Sequence, residues 1–224
     1  MEIELKIKPV MKPKAIDLFS GCGGLTLGLT QAGFHVVGAV EIDPLAVETY
    51  KANHKRVVIW EKDIRKISAF EVMERLNIWP GELDLLAGCP PCQGFSTMTT
   101  LNGRIGQDKQ NDLVFQFLRF VRAMHPRAIM LENVPKLARN RRFKTLHVEL
   151  QRLGYEVNHS VLNAADYGVP QRRRRLILVA GHGKKFHSEK LRARKSPCAM
   201  RLPNLAAAPK PTNCTICRKP GATR

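Results

Sequence analysis

A chain of 224 residues with 44% apolar and 25% charged residues can bury one core of ordinary density, which excludes wholesale disorder and argues for one large domain with at most a small appendage. Its 37 Lys and Arg against 19 Asp and Glu leave a formal net charge of +18, which points to a polyanionic partner, nucleic acid first. No apolar run reaches the roughly 18 residues of a membrane span, no signal peptide is visible, and six cysteines form no even disulfide framework, so a soluble protein of a reducing compartment is expected, cytoplasmic and nucleoid-associated in a bacterium.

From Lys14 onward, short apolar runs alternate with amphipathic stretches, the pattern of βαβ units and a mostly parallel sheet. Strands are predicted at Lys14–Phe19, Val36–Glu41, Val57–Ile59, Leu83–Ala87, Ala128–Glu132, Glu156–Leu162 and Arg175–Ala180. Helices are predicted between them at Leu25–Ala32, Pro44–Asn53, Ala69–Leu76, Asn111–Met124 and Arg142–Leu153. The first, second, fourth and fifth strands each end in a polar or Gly-rich turn. Ligands of open α/β sheets bind beyond the carboxyl ends of the strands, so these turns define one edge as the candidate site. The periodicity stops at Gly181. Residues 182–224 hold eleven Lys and Arg against one acid and read as a basic tail behind a domain at 1–181.

Asp17–Gly24 is a Gly-rich turn between a strand and a helix, where missing side chains let backbone approach a ligand. It departs from the dinucleotide fingerprint, because Thr26 fills the position of the third Gly. A purely structural turn is the alternative. Glu41, at the end of the next strand, is placed to accept from both ribose hydroxyls, and Asp63, after the third strand, from the exocyclic amine of adenine. An adenosine cofactor carrying a sulfonium would suit these acceptors.

Gly88–Ser96 reads Gly–Cys–Pro–Pro–Cys–Gln–Gly–Phe–Ser. Two prolines fix the backbone and hold Cys92 in one orientation at the sheet edge. Cys89 suits the role of a small packed hydrophobe, whereas Cys92 lies in a polar turn. A redox pair and a zinc site are the alternatives, the first ill matched by two intervening prolines and the second by the lack of a partnering Cys or His pair. Glu132 closes the fifth strand just before Pro135. Arg172–Arg175 precede an apolar strand, and strand alternation would put Gln171, Arg173 and Arg175 on one face. Cys198 with Cys214 and Cys217 could form a small zinc site, but a fourth ligand is missing and no metal is expected.

In this order and spacing, the segments DLFSGCGGL (17–25), GCPPCQGFS (88–96), ENV (132–134) and QRRRR (171–175) resemble the motifs of the cytosine-C5 DNA methyltransferases, over about residues 14–181. The resemblance implies a Rossmann-like α/β fold with helices on both faces of the sheet, S-adenosylmethionine as methyl donor and a cytosine-containing DNA duplex as partner. It implies Cys92 as the nucleophile on cytosine C6, Glu132 sharing a proton at ring N3, and Arg173 holding the cytosine or its phosphate and lowering the Cys92 pKa. By the same resemblance Phe19, Ser20, Gly21, Gly23, Gly24, Leu25, Glu41, Ile42, Asp63, Ile64, Gly88 and Pro90 surround the cofactor. Ser96, Asn133, Gln171 and Arg175 serve the substrate, Asn133 by bracing the Glu132 and Cys92 loops. The target base must leave the stack to be reached, and Ser96–Gln110 corresponds to the family's closing loop, with Gly103 and Gly106 as hinges.

Complete members carry a target recognition domain and two further motifs after the QRRRR strand, and 182–224 matches none of them. A truncated, weakly active form is expected, with a second chain supplying target recognition. Two alternatives share the motifs: a tRNA cytosine-5 methyltransferase, and a catalytically silent fragment that binds cofactor or nucleic acid.

Overall fold

The structure, a computed structural model, describes residues 12–91 and 113–182. Strands β1 (Lys14–Leu18), β2 (His35–Glu41), β3 (Val58–Glu61), β4 (Leu85–Gly88), β5 (Ala128–Asn133), β6 (Glu156–Asn163) and β7 (Arg174–Gly181) form one sheet in the order β3-β2-β1-β4-β5-β7-β6. β1 pairs in parallel with both β2 and β4, so the strand order reverses direction there and a crevice opens beyond the two carboxyl ends. β7 alone runs antiparallel to its neighbours β5 and β6, which makes the sheet mostly parallel, as expected.

The helices are α1 (Gly24–Gln31), α2 (Pro44–Asn53), α3 (Ala69–Leu76), α4 (Leu113–Met124) and α5 (Arg141–Arg152). Their starts are written in the sequence. Asp43, Ser68 and Asn140 each accept a hydrogen bond from the backbone N–H two residues on, and Pro44 stands at the first position of α2. Helical spacing gives α4 one apolar stripe of Val114, Phe117, Val121 and Met124, and α5 a stripe of Phe143, Leu146 and Leu150. These pack with α3 on one sheet face, against Ile16, Leu18, Leu86, Ile129, Leu131, Leu176 and Leu178. Leu29 of α1 covers the other face, over Ala15, Val36, Leu85 and Ala87. Helices on both faces therefore follow from strands that are apolar on both sides.

Observed and predicted elements differ by a residue or two at their ends. β4 begins at Leu85 rather than Leu83, because the carbonyls of Leu83 and Asp84 are taken by the N–H groups of Arg127 and Ala128 at the entry to β5. Asn111, the predicted start of α4, lies outside the described residues. Just past Gly181, the His182 N–H donates to the Arg127 carbonyl, and its ring packs 3.9 Å from that of Tyr155. The rest of the expected tail, with Cys198, Cys214 and Cys217, lies outside the described residues. Among those described, no helix is long and apolar enough to cross a membrane.

A carboxyl group interrupts the core. Asp17 is fully buried in the middle of β1, flanked in register by Ala39 and Ala87, whose small side chains leave it room. Its Oδ2 accepts from the Thr26 hydroxyl at 2.7 Å, and Thr26 in turn shares a hydrogen bond with the Tyr50 hydroxyl at 2.9 Å. Its Oδ1 has no partner among the described residues. Burial, with some help from the charge of Glu41 and against the Thr26 hydrogen bonds, pushes the Asp17 carboxyl up to about 7.

An acid whose pKa is raised on folding keeps a proton that the unfolded chain has released. Stability therefore falls as pH rises from about 4 to about 7 and stays at the lower level above that. At 1.36 kcal/mol per unit over about three units, the loss is roughly 4 kcal/mol. Asp17→Asn keeps an acceptor for Thr26 and carries no charge. It is expected to exceed the parent in stability above pH 7, with the gap closing toward pH 4. Urea melts of both proteins across this range test the assignment, and a gap independent of pH would remove it.

Candidate functional site

The crevice is built at the carboxyl edge by the turns after β1 to β5. The first turn is tied to its neighbours through backbone: the Ser20 N–H donates to Val40, and the Cys89 N–H donates to Leu18. Gly88 is required by this closeness. A Cβ there would lie 2.9 Å from the Leu18 carbonyl oxygen and 3.0 Å from the Phe117 ring. Phe19 is held at φ +60°, a left-handed conformation that a bulky residue adopts only when its surroundings impose it.

Glu41 ends β2 with its carboxylate locked by three backbone donors. Oε2 accepts from Gly21 at 2.8 Å, and Oε1 accepts from Ile42 at 2.8 Å and Asp43 at 2.9 Å. The acid thus stitches the Gly-rich turn to the turn after β2, and a carboxylate has acceptor capacity beyond three bonds. Ile42 beside it is 59% exposed. Asp63 caps the short helix Ile64–Lys66 and is gripped by Arg65, whose guanidinium lies 2.6 Å away and holds the acid below its usual range. A ligand amine at Asp63 would share that carboxylate with Arg65. Ile64 is buried in the core.

Three observations test the fit of the expected adenosine cofactor to this edge. The Ser20 hydroxyl oxygen is buried with no partner among the described residues. A Cβ at Gly21 or Gly24 would meet nothing within 4 Å, so the turn borders open space. Gly23 caps α1 without a side-chain hydrogen bond and with the His54 ring against its carbonyl at 3.1 Å, and Leu25 in the first turn is half-buried. The lining therefore has room, spare acceptors and backbone donors for such a group.

The chemical side of the crevice lies at β4, β5 and β7. Glu132 and Arg175 sit on facing strands and pair at 2.8 Å, with side chains 25% and 27% exposed. Asn133 is buried, and its side chain is spent inside the protein. Its Nδ2 donates to the carbonyl of Pro90 at 2.8 Å, and its Oδ1 accepts from the Val134 N–H at 2.8 Å. Pro90, itself buried, is thereby fixed two residues before Cys92. Cys92 and Ser96, with the loop to Gln110 and its Gly103 and Gly106, lie outside the described residues. Cys89 is half-buried, and burial, with Glu132 nearby, pushes its thiol far above the usual range, so it resists forming a thiolate.

The arginine run departs from the expected alternation. β7 begins only at Arg174, so alternation separates Arg174 from Arg175, while Gln171 and Arg173 lie in the preceding turn. There the Arg173 N–H donates to Gln171, the Arg173 carbonyl accepts from Ala164, and both side chains are exposed. Arg175, rather than Arg173, is the arginine on Glu132. The sequence reading passed over Asp17 as a residue of this edge, although an acid inside an apolar strand was a signal.

Comparison with known proteins follows this geometry. The family model described as C-5 cytosine-specific DNA methylase matches residues 13–215. The chain is 38% identical to the Type II methyltransferase M1.HphI of Haemophilus parahaemolyticus, over 73% of this chain and 44% of that protein. It is 40% identical to M.XorII of Xanthomonas oryzae, over 75% of this chain and 40% of that protein. The chain thus spans less than half the length of these curated relatives. With M.AquIA of a Picosynechococcus it shares 37% identity over 79% of this chain and 75% of the relative. Among solved structures, a DNA modification methyltransferase encoded within an E. coli prophage superposes with a TM-score of 0.65 at 32% identity, over 76% of this chain and 47% of the other. The match of one family model across most of the chain, on a sheet whose carboxyl edge gathers the motif residues, establishes that this chain belongs to the C-5 cytosine-specific DNA methylases.

Proposed function

We propose that the chain is the catalytic region of a DNA (cytosine-5-)-methyltransferase that draws on S-adenosylmethionine. The observation that carries the proposal is the Glu132–Arg175 pair at 2.8 Å beside a Pro90 carbonyl tied down by Asn133, because it sets a positioned acid next to the residues that lead into Cys92.

In this reading the Cys92 thiolate adds to C6 of a cytosine turned out of the duplex, and a C6–S bond forms. Carbon 6 is a poor electrophile, so attack needs charge on the ring to be met. Glu132 meets it by holding a proton at ring N3, and Arg175 keeps one Glu132 oxygen in place so that the carboxyl presents one orientation. S-adenosylmethionine, when bound, supplies an electrophilic methyl group to C5. Loss of the C5 proton to a base and expulsion of the Cys92 thiolate restore the aromatic ring and free the enzyme. Arg173, exposed in the turn before β7, holds the cytosine or its phosphate, with Gln171 supporting that turn. For the cofactor, Glu41 accepts from the ribose, Asp63 and the Ile64 backbone serve the adenine, Ile42 lies against it, and Phe19, Ser20, Gly21, Gly23, Gly24, Leu25, Gly88 and Pro90 line the remainder.

Supply of target recognition by a second chain is part of this proposal. Without it, duplex binding should be weak, steeply salt-dependent and nearly indifferent to sequence, because phosphate contacts position without specifying.

Tritiated methyl transfer to duplex DNA and to tRNA, assayed side by side with and without candidate partner chains, tests the substrate; label on tRNA alone would overturn the DNA reading. Cys92→Ser and Glu132→Gln should each abolish transfer while cofactor affinity, measured by calorimetry, stays nearly unchanged; turnover in Cys92→Ala would remove the nucleophile assignment. Glu41→Ala is expected to weaken cofactor binding by about 1–3 kcal/mol through lost charge-assisted hydrogen bonds. Unchanged affinity in that variant would show that the ribose lies elsewhere.

A further inference from the structure

A second concavity opens close to the Glu132–Arg175 pair, on the other side of β7. It is a hollow of about 300 Å³ lined by Pro135, Lys136, Ala138, Arg139, Val161 and Arg174. Half of its lining is cationic and none of it is acidic.

The three cations are brought together by backbone geometry. The helix Pro135–Arg139 is a 3-10 helix with three residues per turn, so Lys136 and Arg139 stand one above the other on one face. Leu137 points the opposite way and is buried, which anchors that face outward, and the Asn140 N–H closes the helix on the Leu137 carbonyl. Arg174 arrives from the first position of β7. It shares a sheet face with Leu176, whose register partner is Val161, and it is turned away from the face on which Arg175 meets Glu132.

None of the three makes an ion pair with a described residue, and all three side chains are exposed. Several other arginines are paired with acids: Arg65 with Asp63, Arg127 with Asp84, and Arg122 and Arg152 with Glu149. Three like charges around one hollow repel one another, and the apolar walls of Pro135, Ala138 and Val161 strengthen the field inside. An anion relieves that repulsion, and a tetrahedral oxyanion with several acceptor oxygens can take donors from all three residues at once.

We infer that Lys136, Arg139 and Arg174 form a phosphate pocket that grips the sugar-phosphate backbone of the DNA next to the turned-out nucleotide. The inference rests on the nucleic-acid reading above and deepens it. The pocket begins three residues after Glu132 and one residue before Arg175, so it adjoins the Glu132–Arg175 pair across β7 at the same carboxyl edge. Its role is to fix the register of the duplex on the carboxyl edge, whichever sequence is bound.

The test compares the full chain with two triple variants, by anisotropy of a fluorescein-labelled duplex over a series of NaCl concentrations. One variant is Lys136→Gln, Arg139→Gln, Arg174→Gln. The other removes the same charge from exposed positions that do not line the hollow, Lys12→Gln, Lys55→Gln, Arg56→Gln. Thermal melts confirm that both fold like the parent. Each phosphate contact contributes about 0.9 to the slope of log K against log salt, so the pocket variant should lose roughly 2 to 3 from the slope and the control should keep it. Inorganic phosphate, titrated at constant ionic strength, distinguishes a free-ion site from a backbone site. Competition confined to proteins that retain the pocket, together with the lost slope, supports the inference. Phosphate competition with an unchanged duplex slope shows an ion site only and overturns it. Equal slopes in the two variants, or no duplex binding by the parent, also overturn it. Absence of methyl transfer with the slope difference intact would reject the enzymatic reading and leave the pocket standing.

Discussion

The carbonyl of Leu18 stands so close to the α-carbon of Gly88 that no side chain fits between them, and the carboxyl edge is organised around this approach. It lets the Cys89 N–H donate to Leu18, which joins the turn after β1 to the turn after β4 without any side chain. Two motifs seventy residues apart are thereby fixed relative to each other by backbone geometry alone. Asn133 extends the clamp to β5 by donating to Pro90, and Glu41 extends it to β2 by accepting from Gly21. A donor site and an acceptor site for one transferred group have to be held at a constant separation, and main-chain contacts between parallel strands do this more rigidly than exposed side-chain pairs would.

Electrostatics divides this edge into two regions. Toward β1 and β2 the charge is acidic, carried by Glu41 wrapped in N–H groups. Toward β5 and β7 basic residues predominate, with Glu132 facing Arg175 and Asp166 exposed in the turn between β6 and β7. A cationic cofactor and a polyanionic polymer prefer opposite fields, so the two halves suit two ligands meeting at the seam between β4 and β5. Asp17 belongs to the acidic half in position but not in charge, because burial favours its protonated form near neutrality.

Much of this was legible in the sequence, for identifiable reasons. Strands buried on both faces are continuous apolar runs, and Asp43, Ser68 and Asn140 announce their helices, so element type followed from pattern. The convergence of the motifs on one edge followed from strand polarity. What escaped was set by contacts that pattern cannot encode. Gln171 and Arg173 do not share a strand face with Arg175 because β7 starts at Arg174, where it pairs with Asn163 of β6. Arg65 reaches back to Asp63 two residues before it, a contact that residue pattern alone does not announce. Asp17 was passed over because its partners, Thr26 and Tyr50, lie on two different helices. Nothing is said by the structure of Cys92, which only the prolines before it and the family motif single out.

The arginine run gains its meaning from that late strand start. Four arginines in a flexible segment would form a diffuse cationic cloud, and four in a strand would split evenly between two faces. Here the turn releases Arg172 and Arg173 to the exposed surface, while the first two strand residues are sent in opposite directions. Arg175 is committed to Glu132, and Arg174 to the hollow beside Lys136 and Arg139. One peptide step thus couples Glu132 with a cation in the basic hollow. A strand register fixed by Asn163 and Leu176 sets both at once, so a shift of β7 by one residue would exchange the two arginines and misplace both.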